Sequence, residues 1–548
     1  MEVSTLPVER RASPSPGSDD MVHKDEHDLT PTQSASTPLV KPRANNSVLL
    51  ILAAGCALLS DGYQNSLMTM ANVVFRTRFG SKVYTSAVST RISNASLVGA
   101  IIGQISVGII CDRIGRKAGV TITTILLVTG AIFATAAYPV GGNPQNMFWW
   151  LTVARGATGV GIGGKSQSPF HHHSAKTDNV LSGEYPASST AASEAANERL
   201  GKKHRSQVFI LVTNLVLAFG NIVSLSVFMI VLSATGYRNT TDAAGFHKLG
   251  IIWRVTFGFG ALFPLIIFYF RMLVMNASLY RKTAMRKKVP YMLALKRYWP
   301  RLLGTAGVWF IYDFVVFPLN VFSGSIIASI LKTPTLLKTA QYQMLLSSIA
   351  IPGVFVGVAL LPHLGSRKTF MLGFGGFLVL GLIIGCAYDR VMSSTVAAVI
   401  LLGLISSSGN AGPGNLCGLV SSESYPSALR GQAYGVSAAI GKVGAAIGTQ
   451  VFTPIQEHAG KRWVFIISAI LGLIGIALVY FFIPETTRFD LADEDRAWLQ
   501  YLVDNGWDGD IGDGSEGVVN AKQALERVRE AEYKPKNTDD EESVGSQK

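Results

Sequence analysis

Twelve apolar runs, each of about 20 residues and so long enough to cross a bilayer as a helix, begin near Val48, Ala95, Ala118, Met147, Gln207, Ile251, Leu302, Tyr342, Thr369, Val396, Gly435 and Trp463. Inside lipid, backbone polar groups must be satisfied within the structure itself, and a helix does this alone. The chain is therefore expected to be an all-α membrane protein with twelve transmembrane helices. Composition agrees, with 48% of the 548 residues hydrophobic, 15% charged and a mean hydropathy of +0.32. Residues 1–46 are Pro/Ser-rich and polar, without the n-region and h-region of a cleavable signal. The first run is expected to serve as its own insertion signal.

Basic residues set the expected orientation. Arg113, Arg116 and Lys117 follow span two, Arg199, Lys202, Lys203 and Arg205 follow span four, and a further group from Arg281 to Arg297 follows span six. These are all even-numbered exits, so both termini are predicted to be cytoplasmic. The formal charge of +13 is thus a topology and inner-leaflet signal, and no basic patch interleaved with aromatics points to nucleic acid. Cys56, Cys111, Cys386 and Cys417 lie in or at the ends of spans, which predicts single thiols in place of a disulfide framework.

The basic segment 275–301 divides the chain into six-helix bundles at 47–274 and 302–485. Tails at 1–46 and 486–548 have compositions that predict disorder. Asn239-Thr240-Thr241 reads as a glycan acceptor in the outer loop after span five. The loop Gly108 to Lys117 after span two has a degraded counterpart, Gly365-Ser366-Arg367-Lys368, after span eight. Parallel repeats of this kind place a binding site at the midplane between the halves.

Asp61, Glu184, Glu194, Asp313 and Lys442 interrupt otherwise apolar runs. Each charge costs about 2.5–3.5 kcal/mol at the bilayer centre on insertion scales, so each needs either a structural partner or a function. Desolvation disfavours the charged form of a carboxyl, which suits Asp61 to load and release a proton. Trp309, Asp313 and Phe317 follow one another at intervals of four and share a helix face.

The ten-residue pattern G-x-x-x-D-R-x-G-R-K at Gly108 to Lys117 resembles the loop signature of the major facilitator superfamily. Arg155 to Gly164, RGATGVGIGG, resembles its fourth-helix motif, and Pro484-Glu485-Thr486 resembles its exit sequence. This resemblance implies a cytoplasmic gate built on Asp112, Arg113, Gly115, Arg116 and Arg155. Within the superfamily, SDGYQN at Ser60 to Asn65, GEYPASS at Gly183 to Ser189, WFIYDF at Trp309 to Phe314 and GKVGA at Gly441 to Ala445 are similar to the phosphate:proton symporters, especially the fungal glycerophosphoinositol permease branch.

The resemblance implies a plasma-membrane importer of glycerophosphodiesters or phosphate, driven by protons through alternating access, with no cofactor or metal. It assigns proton coupling to Asp61, Asp313 and Glu184, and substrate contact to Tyr185, Trp309, Asp313, Lys442 and Asn415. Lys442 is then the counter-charge of Asp313 in the empty carrier and of the anion in the loaded one. Four positions depart from the phosphate branch: Gln64 replaces an acid, Leu217 a glutamine, Phe317 a tyrosine and Gly414, beside Asn415, an asparagine. Lost donors favour a phosphodiester with an organic head group over a small hydrated anion. An inorganic phosphate symporter, a sugar or other organic-solute carrier and a nutrient receptor are the competing readings. A membrane enzyme has the least support, since no nucleophile elbow or metal-ligand set is evident.

Residues 165–183 break span four with charges, a proline and three adjacent histidines. The break creates phosphate-loop and G-x-G-x-x-G patterns at Gly159 to Ser166, but neither has the strand-turn-helix context it needs. His171 to His173 cannot all turn to one ion without a built shell. The segment reads as a retained intron. Codons for Gly164 to Ser166 can hold a GTAAGT donor, those for Thr177-Asp178 a CTGAC branch sequence and those for Ser182-Gly183 a TCAG acceptor, and removing Lys165 to Gly183 restores GVGIGGEYPASS.

Overall fold

Apolar sequence on all sides of a helix leaves it no wet face, and the helices here pack as rods whose outward surfaces remain greasy. The computed structural model describes residues 44–114, 116–164, 205–239, 242–275, 290–487, 491–507, 521–523 and 525–526, with the side chains of 44–57, 105, 107–120, 164, 205, 267, 270–275, 427 and 491–492 outside the description. These residues belong to one unit, Ala44–Lys548, and contain no strand. Val153 and Phe481 are 71% and 74% exposed, an orientation suited to lipid and costly in water. Six of the described helices are long and apolar enough to cross a membrane.

The first half comprises α1 (Ala44–Val83), α2 (Ser86–Ile114), α3 (Arg116–Thr135), α4 (Pro144–Gly164), α5 (Arg205–Ile210), α6 (Val216–Ala234), α7 (Ala243–Phe259) and α8 (Leu262–Met275). A π turn, Leu211–Leu215, joins α5 to α6. The second half comprises α9 (Tyr291–Ile330), α10 (Leu336–Cys386), α11 (Tyr388–Met392), α12 (Thr395–Gly409), α13 (Asn415–Glu423), α14 (Ser427–Pro454) and α15 (Arg462–Phe482), followed by α16 (Leu491–Asp504). A second π turn, Asn410–Gly414, joins α12 to α13.

Glycine placement sets two features of the packing. A Cβ at Gly159 would run into the Ser96 carbonyl, and one at Gly163 into the Ala100 carbonyl, so the glycine-spaced face of α4 lets α2 approach backbone to backbone. Gly365, at φ 81°, takes a conformation open chiefly to glycine and bends α10 into two spans. Glu485 caps the second: the Ser366 N–H and hydroxyl each donate to Oε1 at 2.8 Å, and the Arg367 N–H donates to Oε2 at 3.2 Å. The exit sequence thus fixes the bend.

Each half has its own core, yet the cores exchange pieces. Phe75, Tyr84, Phe148 and Trp253 form an aromatic cluster in the first, which also takes Leu336 and Ala340 from α10. Phe370, Phe374 and Phe377 centre the second, which takes Phe209 and Ile210 from α5. These exchanges tie the halves together at opposite ends of the bundle.

Two expected boundaries change. The segment 275–301 is predicted as linker, but α9 begins at Tyr291 and runs unbroken into the span. Composition after Thr487 predicts disorder, whereas α16 docks with Trp498 and Leu502 buried. Arg301 pairs with Glu494 at 2.9 Å, and the Tyr298 hydroxyl donates to Glu494 at 2.8 Å. Trp498 and Leu502 lie four apart on one face, so an amphipathic helix forms where the average composition is polar.

Candidate transport site

One cavity of about 200 Å³ lies between the halves, lined by Asp61 and Asn65 from α1, Leu217 and Asn221 from α6, Trp309, Asp313 and Phe317 from α9, Gly414 and Asn415 from α12–α13, and Lys442 from α14. One water needs roughly 10–15 Å³ on this measure, so the space exceeds what one phosphate ion fills. Trp309, Asp313 and Phe317 all reach the cavity, as their shared helix face requires. Leu217, Phe317 and Gly414, three of the four departures from the phosphate branch, line it too. Gln64 does not. Its side-chain amide donates to the Gly260 carbonyl at 2.9 Å, joining α1 to the break between α7 and α8.

Charge is concentrated at one place. The Lys442 ammonium donates to Asp313 Oδ2 at 2.9 Å, with side-chain exposures of 24% and 3%. The lysine nitrogen also lies 4.5 Å from the centre of the Phe317 ring, a cation–π arrangement. Trp309 packs edge-on against Tyr434 at 5.4 Å. Asp61, 3% exposed, supplies a second carboxyl from the other half. The pair, the aromatic rings and the second carboxyl thus line one cavity.

Polar bridges join the halves on both sides of the cavity. At the end bearing the α9–α10 connection, the Thr69 hydroxyl donates to the Asn320 carbonyl at 3.0 Å and the Asn72 amide to the Val321 carbonyl at 3.2 Å. Asn94 adds bonds to Ala446 and Gln450 in α14. At the other end the Asn214 amide donates to Asn415 Oδ1 at 2.7 Å, and the Ser206 hydroxyl to Glu423 Oε1 at 3.3 Å. Asn214 sits within the first π turn and Asn415 directly after the second. Irregular turns of this kind recur at functional sites. Sequence reading missed Asn214, whose only signal is an amide in an apolar run.

Arg155 is 3% exposed and donates to the Gln64 carbonyl at 3.3 Å and the Ser96 hydroxyl at 3.1 Å. Both partners are in its own half. Asn415 lines the cavity but also uses its side-chain amide to bond the Val354 carbonyl at 3.1 Å. Glu184, Tyr185 and Glu194, together with the insertion, lie outside the described residues, as do Gly115 and the side chains of Asp112, Arg113 and Arg116. No group of three or more His, Cys, Asp or Glu residues among the described ones could hold a metal.

A helical bundle in two halves around a cavity that holds buried charged and polar side chains defines a multi-pass membrane transporter. The chain belongs to the Sugar (and other) transporter family, whose profile matches residues 48–169 and 180–498 and breaks inside the insertion. It is 46% identical over 501 residues to glycerophosphoinositol permease 1 of Candida albicans, covering 88% of this chain and 90% of that one. It is 42% identical over 467 residues to glycerophosphoinositol transporter 1 of Saccharomyces cerevisiae, covering 85% and 84%. Among solved structures, the proton:xylose symporter XylE superposes with a TM-score of 0.62 at 16% identity, covering 83% of this chain and 99% of that one. That likeness establishes the major facilitator fold. The family and fold are those of transporters, not enzymes.

Proposed function

We propose that this chain, with span four continuous, is a plasma-membrane symporter that imports glycerophosphodiesters such as glycerophosphoinositol together with protons by alternating access, both termini facing the cytoplasm. The observation that carries the proposal is the Lys442–Asp313 pair at 2.9 Å in a cavity where Leu217, Phe317 and Gly414 present no side-chain hydrogen-bond donor. An arriving phosphodiester competes with Asp313 for the lysine, and a carboxylate beside an anion is repulsive until it binds a proton. Anion and proton therefore load together. Asp61 acts as the second carrier of the coupled proton, and Glu184 with Tyr185 completes the site from span four. Polar bridges at both ends support an occluded intermediate that opens to one side at a time. Asp112, Arg113, Gly115, Arg116 and Arg155 serve the gate.

The relatives named above are themselves called glycerophosphoinositol carriers, whereas a probable inorganic phosphate transporter of Arabidopsis thaliana is 25% identical. Competition uptake tests the choice. Glycerophosphoinositol and glycerophosphocholine should inhibit uptake of a labelled glycerophosphodiester more strongly than inorganic phosphate, and a sugar should not inhibit it. Tight phosphate uptake with indifference to glycerophosphodiesters would replace this reading with phosphate symport.

A further inference from the structure

One buried group in the cavity is not explained by the charged centre. Gln343 in α10 lines the cavity, is 4% exposed, and its Oε1 has no hydrogen-bond partner among the described residues. Leaving a buried acceptor unmade costs about 1–3 kcal/mol, and buried amides are normally paired. Such an oxygen, aimed into a solute cavity, fits a donor that arrives with the solute.

The position of Gln343 indicates which part of the solute that is. Asn320 lies seven residues beyond Asp313 on α9, about 10 Å along the helix axis, and close to where α9 ends at Ile330. Gln343 lies near the start of α10 at Leu336, so both are at the end of the cavity that bears the α9–α10 connection. Asn65 is one turn further toward this end than Asp61, and Asn221 one turn further than Leu217. Among the described lining residues the charged ones are Asp61, Asp313 and Lys442. Beyond them toward this end the polar lining is neutral and rich in carboxamides.

We infer that Gln343 determines head-group specificity: its Oε1 accepts a hydroxyl of a polyol head group while the phosphodiester lies at Lys442. The inference rests on the glycerophosphodiester reading given above. Hydroxyls both donate and accept, as carboxamides do, so a polyol can satisfy several of these amides at once. A quaternary amine prefers aromatic faces or carboxylates, and the rings of Trp309 and Phe317 flank the charged centre rather than this end. The phosphodiester group itself carries no donor, so a donor to Gln343 has to come from the hydroxyls of the head group.

The test measures the concentration dependence of glycerophosphoinositol uptake and its inhibition by glycerol 3-phosphate, in the 548-residue chain and side by side in the form lacking Lys165 to Gly183. Gln343→Leu should raise the half-saturating concentration of glycerophosphoinositol at least tenfold. Inhibition by glycerol 3-phosphate should stay within twofold. Gln343→Asn, a shorter carboxamide, should fall between. The detergent melting midpoint of Gln343→Leu should equal or exceed that of the parent, because an unpaired oxygen has been removed; a structural glutamine would give the reverse. Parallel losses for both ligands, no change for either, or a lowered melting midpoint would overturn the assignment. Absence of saturable glycerophosphoinositol uptake by the unmutated forms would overturn the functional reading and the head-group site with it, and is visible before any variant is made.

Discussion

Lys442 Nζ and Asp313 Oδ2 lie 2.9 Å apart on neighbouring helices, α14 and α9, with the lysine directed into the cavity and the aspartate 2% exposed. Removing one member strands the other. Breaking a buried pair from one side costs about 3–5 kcal/mol. Lys442→Met should therefore lower both membrane abundance and melting midpoint, whereas Lys442→Gln with Asp313→Asn should recover most of the stability and none of the uptake. Detergent melting beside labelled uptake checks this, and a double variant that transports would remove the pair from the binding mechanism.

Glu485 gives a pH-dependent prediction. Burial works to raise its carboxyl, but hydrogen bonds from Thr487, Ser366 and the backbone of Ser366 and Arg367 outweigh this and hold it below the usual range. A group depressed in the folded state adds stability that is fully present above its unfolded value, about 4.3 for glutamate, and lost as pH falls through the folded value. Bonds to a charged acceptor are worth about 1.5–3 kcal/mol. Glu485→Gln should lower the melting midpoint at neutral pH and flatten its decline on acidification. Parallel acid profiles for variant and parent would contradict the capping role.

How much of this was legible in sequence differs between elements. The spans were, because every residue of a lipid-embedded helix must be apolar or partnered, and Asp61, Asp313 and Lys442 stood out as expensive exceptions. Gln343 and Asn214 did not stand out, since a neutral amide in an apolar run reads equally as a helix–helix bond. Their placement depends on how α5, α10 and α13 meet, which no local pattern encodes. The docking of α16 was hidden by its many charges, although the spacing of Trp498 and Leu502 carried the signal. Gln64 was read as part of a substrate-related motif and instead bonds Gly260, because one residue of helical rotation separates it from Asn65 in the cavity.

Restoring the missing donors should change selectivity. Leu217→Gln with Phe317→Tyr adds two polar groups to the cavity wall and is expected to strengthen inhibition by inorganic phosphate about tenfold, each hydrogen bond contributing about 0.5–1.5 kcal/mol. Competition curves for phosphate and glycerophosphoinositol read this out. A phosphate curve that does not move would mean these positions do not set the preference.

Residues 165–183 are expected to decide whether the chain transports at all. A helix rises about 1.5 Å and turns about 100° per residue, so nineteen extra residues separate Arg155 and the α4 glycines from Glu184 and Tyr185. The family match breaks at 170–179, within the same segment. The 548-residue chain is expected to show no uptake, and deletion of Lys165 to Gly183 to give an active carrier. Transcript sequencing should find the spliced form. Equal activity in both forms would make the segment a tolerated loop.

Coupled flux tests the central claim most directly. Cells carrying the form without Lys165 to Gly183 receive labelled glycerophosphoinositol while external pH is recorded. Symport predicts that uptake and external alkalinisation rise together, that both are lost in Asp61→Asn and in Asp313→Asn, and that both variants still reach the membrane. Uptake without alkalinisation, or wild-type coupled uptake in either variant, would contradict it.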